Sequence, residues 1–492
     1  MEPTAFTENG APAFATTYSS LLDLFGQVTR TLDPTTLEGL LAKCWAESPT
    51  RTLQLMAYTR DIRHGVGERR LFYYMAAWLM VHAPASYDAN LPAFLEQGYY
   101  RDLLLLMKVK ESLRILYTPE VALFVTDLRA SKGLSAKWAP SEGGRFALYA
   151  KVFAKHLGMS PKAYRTFLTA ERARLQVLET YLCAQAYDRV SFERIPSQAM
   201  LKYKDAFLRT CNVHKVESDG RVALKERYEK YLEDVKAGTT KINSGTLMPH
   251  QLVKDPSSPT ADALWNDLVA KQRGGHLDGA LAICDVSGSM STVVAPGVTA
   301  AHVAVALGLL IAEVSRAADR RLITFSETPT LVTIPPGSLN EKVTATKCMP
   351  WGMNTNYHAV FKMLLEKRID AKRLFVFSDM QFDASGQWDQ SLHDQIAAEY
   401  AAAGRTMPEV VYWNLASKGA LPVSATQHGV ALVSGFSSKL LDLFLSDKPL
   451  NPLTVMLDAL NRYTVTPPAS SARPVVLRPV PWPSVTHAVA HP

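Results

Sequence analysis

The chain has 492 residues, 47% hydrophobic and 20% charged, which is material for two to four packed domains and excludes wholesale disorder. Its net charge of +7 is uneven: residues 101–250 hold 26 Lys and Arg against 16 Asp and Glu, while residues 251–492 hold 20 of each. No apolar run reaches the roughly 20 residues of a membrane-spanning helix. The opening Met-Glu-Pro-Thr-Ala lacks the basic and apolar regions of a secretory leader, so the expectation is a cytoplasmic protein, with the nucleus also open to it.

Residues 1–17 read as an N-terminal arm. From 18 to 240 the pattern is helical. Leu37, Leu40, Leu41 and Trp45 repeat at three- and four-residue spacing, and Phe167, Leu168, Leu175, Leu178 and Leu182 continue it. Pro84, Pro92, Pro119, Pro140, Pro161 and Pro196 cut the region into segments of helix length. Many short amphipathic helices without strands predict an all-α array, either a solenoid of helix pairs or a globular bundle. Cys44, Cys183, Cys211, Cys284 and Cys348 are scattered singly, which argues against disulfides and structural zinc and for reduced core residues.

Loop chemistry at 238–245 and 256–259 marks a linker over 241–275. From 276 to 462 strands alternate with helices. The strands are expected at 281–284, 321–325, 373–377, 410–413 and 430–433, and the helices at 299–318, 357–367, 390–403, 438–445 and 453–461. This alternation predicts a doubly wound α/β domain. Residues 463–492, rich in proline, read as an extended or disordered tail.

Ligands of open α/β sheets bind outside the carboxyl ends of the strands. Three oxygen-rich loops fall there: Asp285-Val-Ser-Gly-Ser-Met290, Trp351-Gly-Met-Asn-Thr-Asn356 and Ser378-Asp379-Met380. Asp285, Ser287, Ser289, Thr355 and Asp379 together offer two carboxylates and three hydroxyls, with Asp383 close enough in sequence to support Asp379. Hard oxygen donors in small number suit Mg²⁺ or Mn²⁺ rather than a calcium cage.

The stretch Ala-Ile-Cys-Asp-Val-Ser-Gly-Ser-Met resembles the metal-ion-dependent adhesion site of von Willebrand factor A domains. That resemblance implies one Mg²⁺ held by Asp285, Ser287, Ser289, Thr355 and Asp379. In the helical half, Thr59-Arg-Asp-Ile-Arg-His-Gly-Val-Gly-Glu-Arg-Arg-Leu-Phe72 resembles a segment of the Ro ribonucleoprotein (TROVE) family and of uncharacterised viral, plant and fungal proteins with the same layout. Tyr99-Tyr-Arg-Asp-Leu103, Lys137-Trp-Ala-Pro140 and Ile195-Pro-Ser-Gln-Ala-Met200 resemble later landmarks of those uncharacterised proteins, among which the chain fits best. His64 and Val66 replace the usual Gly and Lys. What the resemblance implies is a HEAT-like helical array joined to an A domain, and, as in Ro proteins, RNA as a partner.

Three functions follow as expectations. The first is non-enzymatic RNA binding through Arg165, Arg172, Lys202, Lys204, Arg209, Lys225, Arg227 and Lys230, with Tyr164, Tyr181, Tyr187 and Tyr203 available for stacking or for packing. The second is a protein-interaction adaptor whose metal takes an acidic side chain of a partner. The third, a metal hydrolase, is disfavoured: two-metal chemistry needs more carboxylates, and no phosphate loop, zincin helix or nucleophile elbow is present. The protein is read as no enzyme. Arg60, Asp61, Arg63, Glu68 and Arg69 read as a structural ion-pair network.

Overall fold

A computed structural model describes every residue except 1–2, 212–214, 274–276, 316–319, 326, 348–354, 385–389, 446–447, 470–479 and 490–492. The chain forms two compact units, one of Met1–Phe72 with Ser244–Thr464 and one of Tyr73–Asn243 with Val465–Pro492. The fold class is α plus α/β.

The first unit is built on six strands: β1 Ala280–Asp285, β2 Arg321–Phe325, β3 Thr330–Thr333, β4 Arg373–Ser378, β5 Glu409–Asn414 and β6 Val430–Ser434. Their spatial order is β6-β5-β4-β1-β2-β3. All neighbours run parallel except β3, which is antiparallel to β2. β1 and β4 are buried along their whole length, which is why they read as unbroken apolar runs. The helix Ala300–Val314 is buried on almost every side, matching its lack of a polar face. β3 leaves no clear mark in the sequence because its four residues are short and half-exposed, as an edge strand's are. The chain order reverses between β1 and β4, so the topological switch point, where such sheets bind ligands, lies between them.

The expected domain boundaries are corrected at the front. The helical pattern puts residues 18–72 in the helical array, yet all of residues 1–72 group with the sheet. The contacts explain it. After the helix Ser20–Phe25, the Ser434 hydroxyl donates to the Phe25 carbonyl at 2.6 Å and accepts from the Val28 amide at 2.9 Å. The Asn414 side chain donates to the Gly26 carbonyl at 3.0 Å, and the Ser417 hydroxyl donates to that of Gln27 at 2.6 Å. A helical period identifies a buried face but not the element that buries it.

The segment resembling the Ro family is a structural wedge within this unit. Asp61 and Glu68 are buried, whereas Arg63 and Arg69 are exposed. The Asp61 carboxylate accepts from the Arg63 amide at 2.7 Å and from the Tyr463 hydroxyl at 3.0 Å. Glu68 pairs with Arg30 at 2.6 Å, a residue outside the motif. A Cβ at Gly65 would stand 2.1 Å from the Tyr58 carbonyl oxygen, so only glycine permits that approach. Val66, in place of the family's usual lysine, is buried against Gly435 just past β6.

The second unit is helical: Pro84–Gln97, Tyr100–Ser112, Thr118–Arg129, Ala147–Leu157, Pro161–Leu175, Ser197–Leu208 and Asp219–Lys236 are its main helices. Pro84, Pro119 and Pro161 start helices at the first two positions, where a missing N–H costs little. Pro92 does not cut the chain but lies inside Pro84–Gln97. The tail is not wholly extended. Trp482–Val489 is a helix with Val485 fully buried, Trp482 meets Tyr74 edge-on at 5.8 Å, and Asn90 clasps the Thr466 backbone by two hydrogen bonds. Proline density hid a helix because Pro483 falls in its first turn, where proline is tolerated. Of the cysteines described, Cys44 and Cys284 are core residues, Cys183 is exposed and Cys211 is half-buried; all four are free thiols. Cys348 lies outside the described residues.

Among the described residues, no helix is long and apolar enough to cross a membrane.

Candidate functional site

β1 ends in Asp285, and the chain turns at once into the short helical turn Gly288–Ser291. The Ser287 amide donates to Asp285 Oδ1 at 2.9 Å, which closes the loop and brings the Ser287 and Ser289 hydroxyls to 3.2 Å of each other. From the neighbouring β4, the Ser378 hydroxyl donates to Asp285 Oδ2 at 2.6 Å. Asp379 follows, its Oδ1 accepting from the Gln381 amide at 3.3 Å. Between them Met380 takes left-handed backbone at φ 65°, a conformation that costs a non-glycine residue energy and recurs at functional sites.

Thr355 stands in a third loop, tied to Asp383 and Asn9. Its amide donates to Asp383 Oδ2 at 2.8 Å, and the Asp383 amide returns a bond to the Thr355 carbonyl at 3.0 Å. Asp383 therefore supports the Thr355 loop, not Asp379 as the sequence suggested. Trp351 to Asn354 of that loop lie outside the described residues.

Asp285, Ser287, Thr355 and Asp379 are all buried, and Ser289 is half-buried. Burial, reinforced by the nearby Asp379, pushes the Asp285 carboxyl up to about 7. Burial likewise raises Asp379, with a contact from Ser289 drawing it part of the way back. Asp379 Oδ2 is buried without a hydrogen-bond partner among the described residues. A buried carboxylate oxygen left this way costs energy unless a cation or donor reaches it. The donor set of two carboxylates and three hydroxyls fits a hard divalent cation of the Mg²⁺ or Mn²⁺ kind, held with water. Among the described residues no group of three or more His, Cys, Asp or Glu side chains could hold a metal. That is consistent with a site whose donors are mostly hydroxyls.

Two contributors had no signal in the sequence. Asn9 donates through Nδ2 to the Gln381 carbonyl at 2.8 Å and towards Thr355 Oγ1 at 3.4 Å. The Glu8 amide donates to Gln381 Oε1 at 2.5 Å. More than 300 positions separate these pairs along the chain, so no local pattern links them. Ser378 was legible as the residue before Asp379, but not its bond to Asp285.

The residues expected to bind RNA divide. Arg172 donates to the carbonyls of Ala136 and Ala139 and to Ser141, and Arg227 donates to the carbonyls of Tyr187 and Val190, so both guanidinium groups hold loops together. Arg165 pairs with Glu142, Lys225 with Glu229 and Lys204 with Asp205. Lys202 lies over the Tyr203 ring, and Arg209 and Lys230 are exposed. Tyr164 and Tyr187 are buried and pack in the core, unavailable for stacking, while Tyr181 and Tyr203 are half-buried.

Two family profiles match the chain. "Domain of unknown function (DUF7788)" covers residues 279–460, and "Domain of unknown function (DUF2828)" covers residues 7–132 and 154–276. The curated "Uncharacterized protein L728" of Acanthamoeba polyphaga mimivirus is 33% identical over 514 residues, spanning 94% of this chain and 88% of that protein. The crystal structure of the Deinococcus radiodurans Ro (RSR) protein covers 86% of this chain and 88% of that one at 13% identity, with a TM-score of 0.34, too slight a likeness to carry an argument. Half of its length under one profile and a relative matched almost end to end place it: the chain belongs to the DUF2828 family.

Proposed function

We propose that the α/β unit is a cation-dependent binding module of the von Willebrand factor A type, non-enzymatic, in which one Mg²⁺ or Mn²⁺ held among Asp285, Ser287, Ser289, Thr355 and Asp379 presents an open position to an acidic group. The observation that carries this reading is the pair of buried carboxylates at the switch point, with Asp379 Oδ2 lacking a partner among the described residues. Among the described residues no cationic side chain is hydrogen-bonded or ion-paired to either carboxylate, so the charge is suited to a metal ion. Burial raises the proton affinity of both groups, with the nearby Asp379 adding to it at Asp285, and a cation bound between them would offset the cost of their buried charge. Calorimetric titration of Mg²⁺ and Mn²⁺ tests it. Asp285→Ala removes one of only two anionic ligands and is expected to weaken binding at least tenfold, about 1.4 kcal/mol. Equal affinity in wild type and Asp285→Ala overturns the reading.

A second reading, RNA binding by the helical unit, draws on the surplus of Lys and Arg in residues 101–250. With Arg172 and Arg227 occupied by carbonyls, Lys202, Arg209 and Lys230 are the groups best able to meet phosphates. Such contacts release counterions, each adding about −0.7 to −0.9 to the slope of log affinity against log salt. The full chain is expected to bind RNA with a slope of about −2 to −3, flattened by replacing those three residues with Glu. Salt-insensitive binding, or none, removes this reading and leaves the cation-dependent module alone.

A further inference from the structure

The helical unit carries an exposed apolar surface rimmed by cations. Tyr117 and Tyr149 meet edge-on at 5.7 Å, and the Phe146 ring lies 6.1 Å from that of Tyr149. Leu116 and Leu148, the chain neighbours of the two tyrosines, are 82% and 76% exposed, the most exposed large apolar side chains among the described residues. A lone exposed leucine is ordinary, but two that flank one aromatic cluster form a patch of the kind that marks an interaction site.

The turn that presents Leu116 is held in place. Arg114 takes left-handed backbone at φ 58°, a conformation that costs a non-glycine residue energy. Its amide donates to the Glu111 carbonyl at 3.0 Å, and the Ile115 amide donates to that of Lys110 at 2.8 Å. The rim is basic. Lys108 and Arg145 stand over the Phe146 ring at 5.9 and 5.5 Å. Arg114 lies two residues before Leu116, and Lys151 lies one turn past Leu148 on the helix Ala147–Leu157; both are exposed. Among the described residues none of these four cations is ion-paired. Glu111 is an acidic neighbour, whose charge adds to burial in raising the Tyr117 hydroxyl.

The exposed atoms decide between occupants. Bases stack on free aromatic faces, but Phe146 already carries two cations and Tyr149 is buried. Leu116 and Leu148 offer nothing to a phosphate backbone, whereas they match the apolar anchors of an amphipathic helix. The four cations complement an acidic face on such a helix. We propose that this surface docks an acidic amphipathic helix of a partner protein, its apolar side chains on Leu116, Leu148 and Phe146 and its carboxylates on the basic rim. The surface lies in the helical unit and does not depend on the cation site of the α/β unit.

The test titrates the full chain into a fluorescein-labelled peptide of repeated Leu-Glu-Glu-Leu units, which as a helix has one leucine face and one glutamate face, and reads anisotropy. Wild type is expected to bind it, and to bind a scrambled peptide of the same composition about tenfold more weakly. Leu116→Ser with Leu148→Ser should weaken binding about tenfold at low and high salt alike. Arg145→Glu with Lys151→Glu should weaken it as much at low salt, and should bind a Leu-Lys-Lys-Leu peptide better than wild type does. All four side chains are exposed, so thermal midpoints should stay close to that of wild type. Oligouridylate and vesicles of phosphatidylserine in phosphatidylcholine are titrated in parallel. If either binds wild type and loses binding in these variants while the peptide does not, the surface belongs to nucleic acid or membrane and the proposal fails. Peptide binding that is absent from wild type, or unaltered in both double variants, overturns it as well.

Discussion

Asp285→Asn is expected to stabilise the metal-free protein above pH 7 while abolishing its stabilisation by Mn²⁺. In the folded chain Asp285 titrates near 7, because burial and Asp379 disfavour its charged form, against 3.8 for the unfolded group. The folded state therefore binds more protons than the unfolded state between those two values. Its stability falls as pH rises through that window and levels off above it. At pH 8 wild type carries the full cost of a buried charge beside Asp379, and Asn removes that charge while keeping one acceptor for the Ser287 amide and a donor for Ser378 Oγ. The upper bound on the gain is about 4 kcal/mol, roughly three tenfold steps in proton affinity at about 1.36 kcal/mol each. Mn²⁺ should restore wild type at pH 8 and do nothing for Asp285→Asn. Thermal unfolding from pH 4 to 8, with and without Mn²⁺, measures all of this. A wild type whose midpoint rises steadily from pH 4 to 7 without metal contradicts the burial argument.

Gly65→Ala carries the second large effect. Its new Cβ would sit 2.1 Å from the Tyr58 carbonyl oxygen and 3.0 Å from that of Asp61, both backbone atoms that cannot rotate away. The turn they close is pinned by the Val66 amide on the Tyr58 carbonyl at 3.1 Å and the Glu68 amide on the Thr59 carbonyl at 2.8 Å. Relieving the clash must break that pinning and lift Val66 off Gly435. The expected loss is about 3 kcal/mol or more, at the upper end of overpacking costs. Gly39 is the control: it is exposed within the helix Pro34–Glu47, and a Cβ there meets nothing within 4 Å. Gly39→Ala should add about 0.5–1 kcal/mol. Chemical denaturation of both variants checks the pair, and a neutral Gly65→Ala would show that the segment is not the wedge described.

The α/β topology was legible because buried parallel strands leave continuous apolar runs: all five parallel strands lie where 281–284, 321–325, 373–377, 410–413 and 430–433 placed them. The oxygen cluster was legible for a related reason, since each loop directly abuts an element the apolar pattern marks. What the sequence concealed depends on contacts between distant segments. Nothing in Leu21, Leu22 or Leu24 says that their helix packs with the sheet, and nothing near Asn9 points to Thr355. The charge clusters are ambiguous in a different way. Lys and Arg side chains look alike in a sequence whether they face solvent or, like Arg172 and Arg227, tie down carbonyls. Asp61 and Glu68 are buried and tied to residues outside the motif, Tyr463 and Arg30, which no local charge pattern could reveal.

The most direct test of the cation site is a crystal of the full chain grown with Mn²⁺, measured for anomalous scattering. The expected result is one strong peak between the ends of β1 and β4, with the Ser287 and Ser289 hydroxyls at about 2.1 Å and Asp379 Oδ2 turned towards it directly or through one water. A fully ordered site at saturating Mn²⁺ with no peak there, or with the peak on other residues, contradicts the account.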